Sequence, residues 1–259
     1  MKIIVCMKQV PDAKDVRLDP VTNTLAREGV QSIMNPYDQH ALEEAVRLKE
    51  AHGGEVVAIT MGPPQAEEML RQAISCGADS AVLISDRAFA GADTWATAYT
   101  LEHAVKKIGD FDLILCGKQA IDGDTAQVGP GLATRLGIPY LTCVQKIREA
   151  TTSGLLAERM MDDGYDLVAL DYPALLTVVK DINEPRVPSI KGKMKAKKAE
   201  IARLSATDIE ADPACIGLPG SPTKVVSVFP PPARGNRSVL QGTLDEKIDQ
   251  LVEKLIPYL

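Results

Sequence analysis

The chain has 259 residues and a formal net charge of −6, with 45% hydrophobic but only 4% aromatic residues. This length suits one large α/β domain, or a domain with an appendage, and a core built from aliphatic side chains. The acidic balance argues against nucleic acid as the main partner. No apolar run approaches the ~18 residues of a membrane span, and the amino-terminal residues lack the apolar region of a secretory signal, so a cytoplasmic protein is expected.

Strands and helices alternate along the first 150 residues. The strands are short, continuous apolar runs, which are typical of a sheet covered on both faces. Strand and helix alternating at this spacing predicts an α/β fold, with a mostly parallel sheet and helices on both faces. The predicted strands are 2–10, 55–62, 80–85, 111–117 and 139–147, and the predicted helices are 35–51, 64–77, 93–109 and 124–137.

Beyond residue 150 the pattern changes to strand, turn and strand, with a further strand after Pro173, which predicts antiparallel additions to the sheet. From about residue 183 the chain is loosely patterned until an amphipathic helix at 243–256, for which Thr243 is the expected N-cap. We interpret residues 186–259 as an extended C-terminal arm that packs on another chain, following an α/β domain at 1–185. Folding back onto its own domain is the alternative. The apolar arm residues that need a surface are Ile216, Leu218, Val225, Val228 and Phe229.

The stretch 117–130, GKQAIDGDTAQVGP, follows a predicted strand and opens a helix. Ligands of open parallel sheets bind beyond the carboxyl ends of the strands, so this stretch is a candidate site. Gly117 permits close backbone approach, and Asp124 or Thr125 is the predicted helix cap. The N–H groups at the start of this helix would bind phosphate oxygens. An adenine nucleotide fits better than a simple phosphate, and a bare turn with a cap is the alternative.

A second candidate, NPYDQ at 35–39, begins a predicted helix. Asn35 suits the N-cap, Pro36 the first helical position, and Asp38 the place of a capping acid. Either this is simply a well-capped helix, or its residues face the same crevice as Cys6 and Lys8 after the first strand.

Five cysteines lie far apart without a C-x-x-C pair, which favours reduced core thiols. The three histidines do not cluster with them, so no metal site is expected. The sequence also shows no nucleophile–base pair, and any chemistry would come from a cofactor.

Six motifs spread over nearly the whole chain carry a resemblance to a known family. They are VCMKQVPD (5–12), MNPYDQHALEEAVRLKE (34–50), MGPP (61–64), GADSA (77–81), LILCGKQAIDGDTAQVGP (113–130) and INEPRVPSIKGKMKAKK (182–198). In this order and spacing they resemble the β (small) subunit of electron-transfer flavoproteins. The resemblance implies an adenine-nucleotide α-hydrolase-like (HUP/Rossmann-like) fold. It also implies a partner, the α (large) subunit, which carries the electron-transferring FAD.

The crevice of this family holds AMP in housekeeping proteins and a second FAD in electron-bifurcating ones. DGDTAQVGP (122–130) and SDRAFAGADTWATAYTL (85–101) resemble the bifurcating group, in which small residues leave room for the larger ligand. Trp95 either flanks the flavin or packs in the core. By resemblance, Arg87, Thr94 and Thr97 lie near the isoalloxazine end. The other implied nucleotide-contacting residues are Cys6, Asn35, Pro36, Tyr37, Asp38, Met61, Gly117, Lys118, Gln119, Ala120, Ile121, Asp122, Gly123, Asp124, Thr125, Ala126, Gln127 and Val128.

The resemblance further implies a reaction and its partners. NADH would give a hydride to this FAD; one electron would pass to the α-subunit FAD and on to a flavin dehydrogenase of the acyl-CoA type, and the other to ferredoxin or flavodoxin. The segment 185–198 resembles the partner-recognition loop, with Ile190 at the position of the apolar anchor and Lys191 and Lys193 beside it; a solvated basic run is the alternative. Two rival functions are a housekeeping subunit with AMP and a stand-alone adenine-nucleotide-binding protein.

Overall fold

A computed structural model describes residues 1–12, 17–18, 25–26, 32–227 and 238–258. Chain contacts divide the protein into two compact units. One comprises Met1–Arg17 with Leu25–Val226, and the other comprises Leu18–Thr24 with Ser227–Leu259. Among the described residues, no helix combines the length and apolar character that crossing a membrane requires.

The described helices and strands follow the alternation predicted from the sequence. The helices are α1 (Pro36–His52), α2 (Glu67–Ser75), α3 (Thr94–Ile108), α4 (Val128–Leu136), α5 (Ile190–Lys198) and α6 (Leu244–Leu255). The strands are β1 (Lys2–Cys6), β2 (Gln9–Pro11), β3 (Arg17–Leu18), β4 (Leu25–Ala26), β5 (Ser32–Met34), β6 (Glu55–Met61), β7 (Ser80–Ile84), β8 (Leu113–Gly117), β9 (Tyr140–Ala150), β10 (Gly154–Met160), β11 (Tyr165–Asp171), β12 (Ala174–Val178) and β13 (Ala202–Leu204).

Nine of the described strands form one sheet in the order β11-β10-β9-β12-β8-β1-β6-β7-β13. The strands from β9 to β13 in this order pair in parallel, and β10 and β11 pair antiparallel at one edge. Alternate residues of β1 serve opposite faces: Ile3 packs with α1 and α2, and Ile4 packs with α3 and α4. The predicted mostly parallel sheet with helices on both faces is therefore confirmed.

Three predictions about individual elements were wrong. The strand after Pro173, β12, is not an antiparallel addition, because it lies between β8 and β9 and is parallel to both. The strand predicted for 2–10 ends at Cys6, and β2 pairs with β5 in a separate small sheet. The helix predicted from residue 124 begins only at Val128.

Residues after 183 are more ordered than their sequence pattern indicates. The helix α5 begins at Ile190, and the hydroxyl of the preceding Ser189 caps it by accepting the N–H of Gly192 at 2.9 Å. Ile216, expected to pack on another chain, is buried in the core between the sheet and α3 and α4. Val225 is exposed. The remaining arm predictions at Val228 and Phe229 fall outside the described residues.

The second unit contains α6, for which the predicted N-cap is confirmed. The Thr243 hydroxyl accepts the N–H of Glu246, and the Glu246 carboxylate accepts the N–H of Thr243 at 2.7 Å. Such a reciprocal pair stabilises a helix start by satisfying two otherwise free N–H groups. Ile248, Leu251 and Leu255 follow one side of the helix at helical spacing and remain about half exposed.

Candidate functional site

The candidate site lies at the carboxyl ends of β1 and β8. The chain runs outward through β1, β6 and β7, then returns to place β8 on the other side of β1. The strand order therefore reverses between β1 and β8, which is where open α/β sheets bind ligands. Cys6 and Cys116 are register partners in this pair. The sequence prediction of a crevice at this edge therefore agrees with the topology.

Asn35 occupies the predicted N-cap position of α1, but its side chain makes no capping bond to the helix. Its amide instead donates to the carbonyl of Gln119 at 2.9 Å, and its oxygen accepts the N–H of Ile121 at 3.2 Å. The side chain is almost fully buried. Asn35 thus anchors the β8–α4 loop, residues 118–127, to the start of α1.

Asp38 also has a role other than the predicted cap. Its carboxylate accepts the N–H of Lys8 at 2.7 Å and the N–H of Gly117 at 3.2 Å. Burial raises the pKa of Asp38 to about 7, against the lowering effect of these hydrogen bonds and of the Lys8 charge. A Cβ at Gly117 would collide with Asp38 and Tyr37, so glycine is required there.

The β8–α4 loop has an unusual backbone. Asp124 and Ala126 adopt left-handed φ angles of 54° and 55°. Gln127, between Ala126 and α4, is right-handed and makes no side-chain cap. Backbone N–H groups in such alternating conformations converge to form an anion-binding concavity, and an uncapped helix start adds its own N–H groups. The predicted cap at Asp124 or Thr125 is wrong, because α4 begins at Val128 with Gln127 at its N-cap position. The anion-binding role of the loop stays a prediction.

Side chains around the loop hold it in place. The Lys8 ammonium pairs with Asp122 at 2.7 Å, and the Gln119 amide donates to Asp124. The hydroxyl of Thr94, at the start of α3, donates to the Gln127 side chain at 3.2 Å. The loop is therefore tied to β1 on one side and to α3 on the other.

The other predicted site residues lie at different distances from this loop. Met61 ends β6, the strand beside β1, and Tyr37 lies in the first turn of α1 beneath the Lys180 ammonium, 4.8 Å from its ring. Thr97 lies one turn beyond Thr94 in α3. Arg87 is exposed on the turn after β7, and β1 and β6 separate that strand from β8.

The buried Cys116 thiol at this edge is not activated as a nucleophile. Cys6 and Cys116 are both buried below the loop. The pKa of the Cys116 thiol is raised well above its usual range by a hydrogen bond with Cys6 and by burial. A thiol must ionise to react, so Cys116 stays inert at neutral pH. All five cysteines are free, and no metal-binding cluster of His, Cys, Asp and Glu occurs among the described residues.

Sequence reasoning missed a cation–π stack beside the loop. The Arg135 guanidinium lies 5.2 Å from the Trp95 ring centre and 4.8 Å from that of Tyr99, and it donates to Glu102 at 2.7 Å. Trp95 is 58% exposed, so the core-packing interpretation of this residue was wrong. No local sequence pattern predicts this stack, because Arg135 and Trp95 are forty positions apart in the sequence.

In the predicted partner-recognition segment, residues 185–198, the predicted apolar anchor Ile190 is exposed. Ile190 is 82% exposed at the first position of α5, and Lys191 and Lys193 are exposed beside it. Two arginines fasten the ends of the segment. Arg186 pairs with Glu43 at 2.8 Å, and Arg71 donates to two carbonyls at the end of α5.

The fold and this edge of the sheet define the class of the protein: a doubly wound α/β domain whose β8–α4 loop, with two left-handed residues, follows the strand-order reversal. Comparison with known proteins identifies the family. The electron transfer flavoprotein domain matches residues 22–209. The chain belongs to this family as a β subunit.

Relatives match almost end to end. The electron transfer flavoprotein subunit beta of Thermoanaerobacterium thermosaccharolyticum is 51% identical, over 98% of both chains. The caffeyl-CoA reductase-Etf complex subunit CarD of Acetobacterium woodii is 49% identical, also over 98% of both chains. The protein FixA of Bradyrhizobium diazoefficiens is 46% identical, over 98% of this chain and 91% of its own.

Proposed function

We propose that this chain is the small subunit of a heterodimeric electron-transfer flavoprotein whose crevice binds FAD, and that this FAD takes hydride from NADH in an electron-bifurcating complex. The observation that carries the proposal is the backbone of the β8–α4 loop. Asp124 and Ala126 are left-handed, and α4 begins without a side-chain cap. Backbone of this kind is typical of anion-binding sites built from N–H groups. A dinucleotide offers the phosphate oxygens that such N–H groups bind.

The residues around the loop suit a ligand larger than a single phosphate. A Cβ at Gly123 would meet nothing within 4 Å, so the outer side of the loop is open. The loop also meets α3 at Thr94, which extends the polar surface beyond the nest. We propose that Arg87, Thr94 and Thr97 line the ring end of the cofactor.

When bound, FAD would supply the chemistry: it would accept the hydride from NADH and release single electrons. The contribution of the chain is to bind and orient it. Asn35 holds the loop through the backbone of Gln119 and Ile121, while the nest holds the phosphates.

The partners follow from the same proposal. The larger α subunit would carry a second flavin and pass electrons to a flavin dehydrogenase, while ferredoxin or flavodoxin takes the low-potential electron. The name of the relative CarD places that protein in a complex with caffeyl-CoA reductase, which supports a CoA-thioester dehydrogenase as partner. We propose that residues 186–259 face these partners, with exposed Ile190 as an anchor. Lys191 and Lys193 would steer an acidic surface toward it.

Cofactor content tests the proposal directly. The chain is co-expressed with its α subunit, the purified complex is denatured, and released nucleotides are quantified by chromatography with mass detection. The α subunit prepared alone supplies the baseline for its own flavin. Two FAD per heterodimer, with NADH bleaching the flavin absorbance, would support the proposal.

Other nucleotide contents would support one of the two alternative functions. One FAD with one AMP would overturn the FAD assignment of this crevice and identify a housekeeping carrier, because the same nest also suits the phosphate of AMP. Purification of this chain as a lone, stable monomer without flavin would favour a stand-alone nucleotide-binding protein instead.

A further inference from the structure

Asp38 occupies a junction where three segments of the chain meet. It lies in the first turn of α1, and its carboxylate reaches the N–H of Lys8, after β1, and the N–H of Gly117, at the end of β8. Only 5% of the residue is exposed. Both oxygens accept backbone N–H groups, so the side chain faces the interior of the site rather than its opening.

A carboxylate suits this junction for two reasons. It offers only acceptors, one oxygen to each N–H, whereas an amide would turn its own NH₂ toward one of them. It also lies at the positive end of the α1 dipole, which favours a negative charge. Glycine at 117 permits the approach, because a Cβ there would collide with Asp38.

We propose that Asp38 is a positioning residue for the nucleotide site: its ionised carboxylate sets the spacing between the short β1–β2 loop at Lys8 and the β8–α4 loop that follows Gly117, without touching the ligand. The inference rests on the proposed function only in naming a nucleotide as that ligand. The two loops flank the strand-order reversal, and their separation decides where the β8–α4 loop presents its N–H groups. Loss of either hydrogen bond lets the loop shift relative to β1.

The charged and titratable groups around Asp38 make this arrangement sensitive to pH. The ammonium group of Lys8, which follows β1, favours the ionised form of Asp38. The same ammonium group also forms an ion pair with Asp122 of the β8–α4 loop. Cys116 of β8 also lies near Asp38, and the carboxylate charge adds to the effects that raise the pKa of its thiol. Burial outweighs the favourable contacts and raises the pKa of Asp38 to about 7. Below this pH the carboxyl gains a proton, and one N–H loses its charged acceptor.

The test compares Asp38→Asn with Asp112→Asn in the full complex stripped of its nucleotide. Asp112 is a matched control, because its carboxylate accepts the N–H of Lys2 at 2.6 Å at the opposite end of β1. The affinities for FAD and for AMP are each measured between pH 6 and 8.5. Proton uptake by the ligand itself appears equally in all variants and cancels in the comparison.

For the unmodified complex we expect affinity to fall by up to about tenfold for each pH unit below 7. Asp38→Asn should bind about tenfold more weakly at pH 8, as expected for one lost charge-assisted hydrogen bond, and should lack this slope. Asp112→Asn should keep both the affinity and the slope. The proposal is overturned if Asp38→Asn retains the affinity, or if it loses affinity but keeps the slope.

A second readout does not depend on which nucleotide binds. Hydrogen exchange at the amides of Lys8 and Gly117 is followed in the nucleotide-free complex, where Asp38→Asn should accelerate at least one of the two by about tenfold. Asp112→Asn should leave them unchanged. If neither FAD nor AMP binds the unmodified complex, the proposed function is refuted. The hydrogen-exchange rates still test the positioning role of Asp38 in that case. Unchanged exchange in Asp38→Asn would refute the positioning role.

Discussion

Two non-glycine residues of the β8–α4 loop hold a backbone conformation that L-residues avoid. Asp124 and Ala126 have positive φ angles, and each costs roughly 1–2 kcal/mol of conformational free energy. Asp tolerates this region better than most residues, but Ala does not. Both lie in a loop close to the surface, where packing does not compel the conformation. Strain of this kind clusters at ligand sites, where pre-organised N–H groups repay it on binding.

Replacement of Ala126 tests whether this conformation serves binding. Ala126→Val should lower nucleotide affinity by at least about tenfold, because a β-branched side chain at positive φ forces the loop out of the nest. The melting temperature should change little, since the loop lies outside the core. Ala126→Gly is the matched control, because glycine accepts φ 55° freely. Full nucleotide content in Ala126→Val, measured on the purified complex, would contradict the nest.

At the scale of elements, α5 is held as a rigid unit on the α/β domain. Arg186, ahead of the helix, pairs with Glu43 and Glu50 of α1. Behind it, Arg71 of α2 donates to the carbonyls of Ala196 and Ala199. Burial alone would raise the pKa of Glu43, but hydrogen bonds from arginines outweigh it and the pKa is lowered. A segment fastened at both ends loses little entropy when its exposed face meets a partner.

The two glutamates that bind Arg186 provide a matched pair of variants. Glu43→Gln should weaken partner binding several-fold and reduce the free energy of unfolding by about 1.5–3 kcal/mol, because a buried charge-assisted network is broken. Glu50→Gln should cost less than about 1 kcal/mol, because that carboxylate is exposed. Denaturant unfolding and electron-transfer kinetics with the partner dehydrogenase measure both effects. Equal losses in the two variants would show that burial of Glu43 does not matter.

At the scale of the whole molecule, carboxyl groups contribute to stability with opposite pH dependence. Folding raises the pKa of Asp38 from 3.8 to about 7, so the folded chain binds more protons than the unfolded chain between these values. The contribution of Asp38 to stability therefore falls as pH rises from about 4 to 7. Glu43 has a lowered pKa, so its contribution is present above about 4.5 and is lost as pH falls below that value. The charge that the proposed positioning role of Asp38 requires thus opposes stability at neutral pH.

This opposition predicts a pH-dependent effect of Asp38→Asn on stability. The difference in unfolding free energy between the unmodified protein and Asp38→Asn should move in favour of the variant as pH rises from 5 to 7. The change is at most about 1.4 kcal/mol per pH unit, and it should level off above 7. Denaturant titrations at pH 5, 6, 7 and 8 measure it. For Glu43→Gln the difference should stay constant over this range; a constant difference for Asp38→Asn as well would exclude the raised pKa.

Several elements could be predicted from sequence because local physics determines them. The helix α3 was expected at 93–109 and spans Thr94–Ile108, and the Asp93 side chain accepts two N–H groups at its start. The Thr243 cap likewise depends only on residues within one turn. The start of α4 could not be predicted this way. Asp124 is a good cap by type, but the left-handed turn at Ala126 moves the helix start to Val128.

The sequence by itself determined the alternation of strands and helices, the parallel sheet and the position of the loop after β8, because apolar periodicity and glycine placement are local properties. Only the tertiary structure decided the insertion of β12 between β8 and β9, the burial of Ile216, and the roles of Asn35 and Asp38. The physical reason is the same in each case. Their partners lie tens of residues away in the chain, and a side chain that can cap its own helix turns elsewhere when a buried N–H there has no other acceptor.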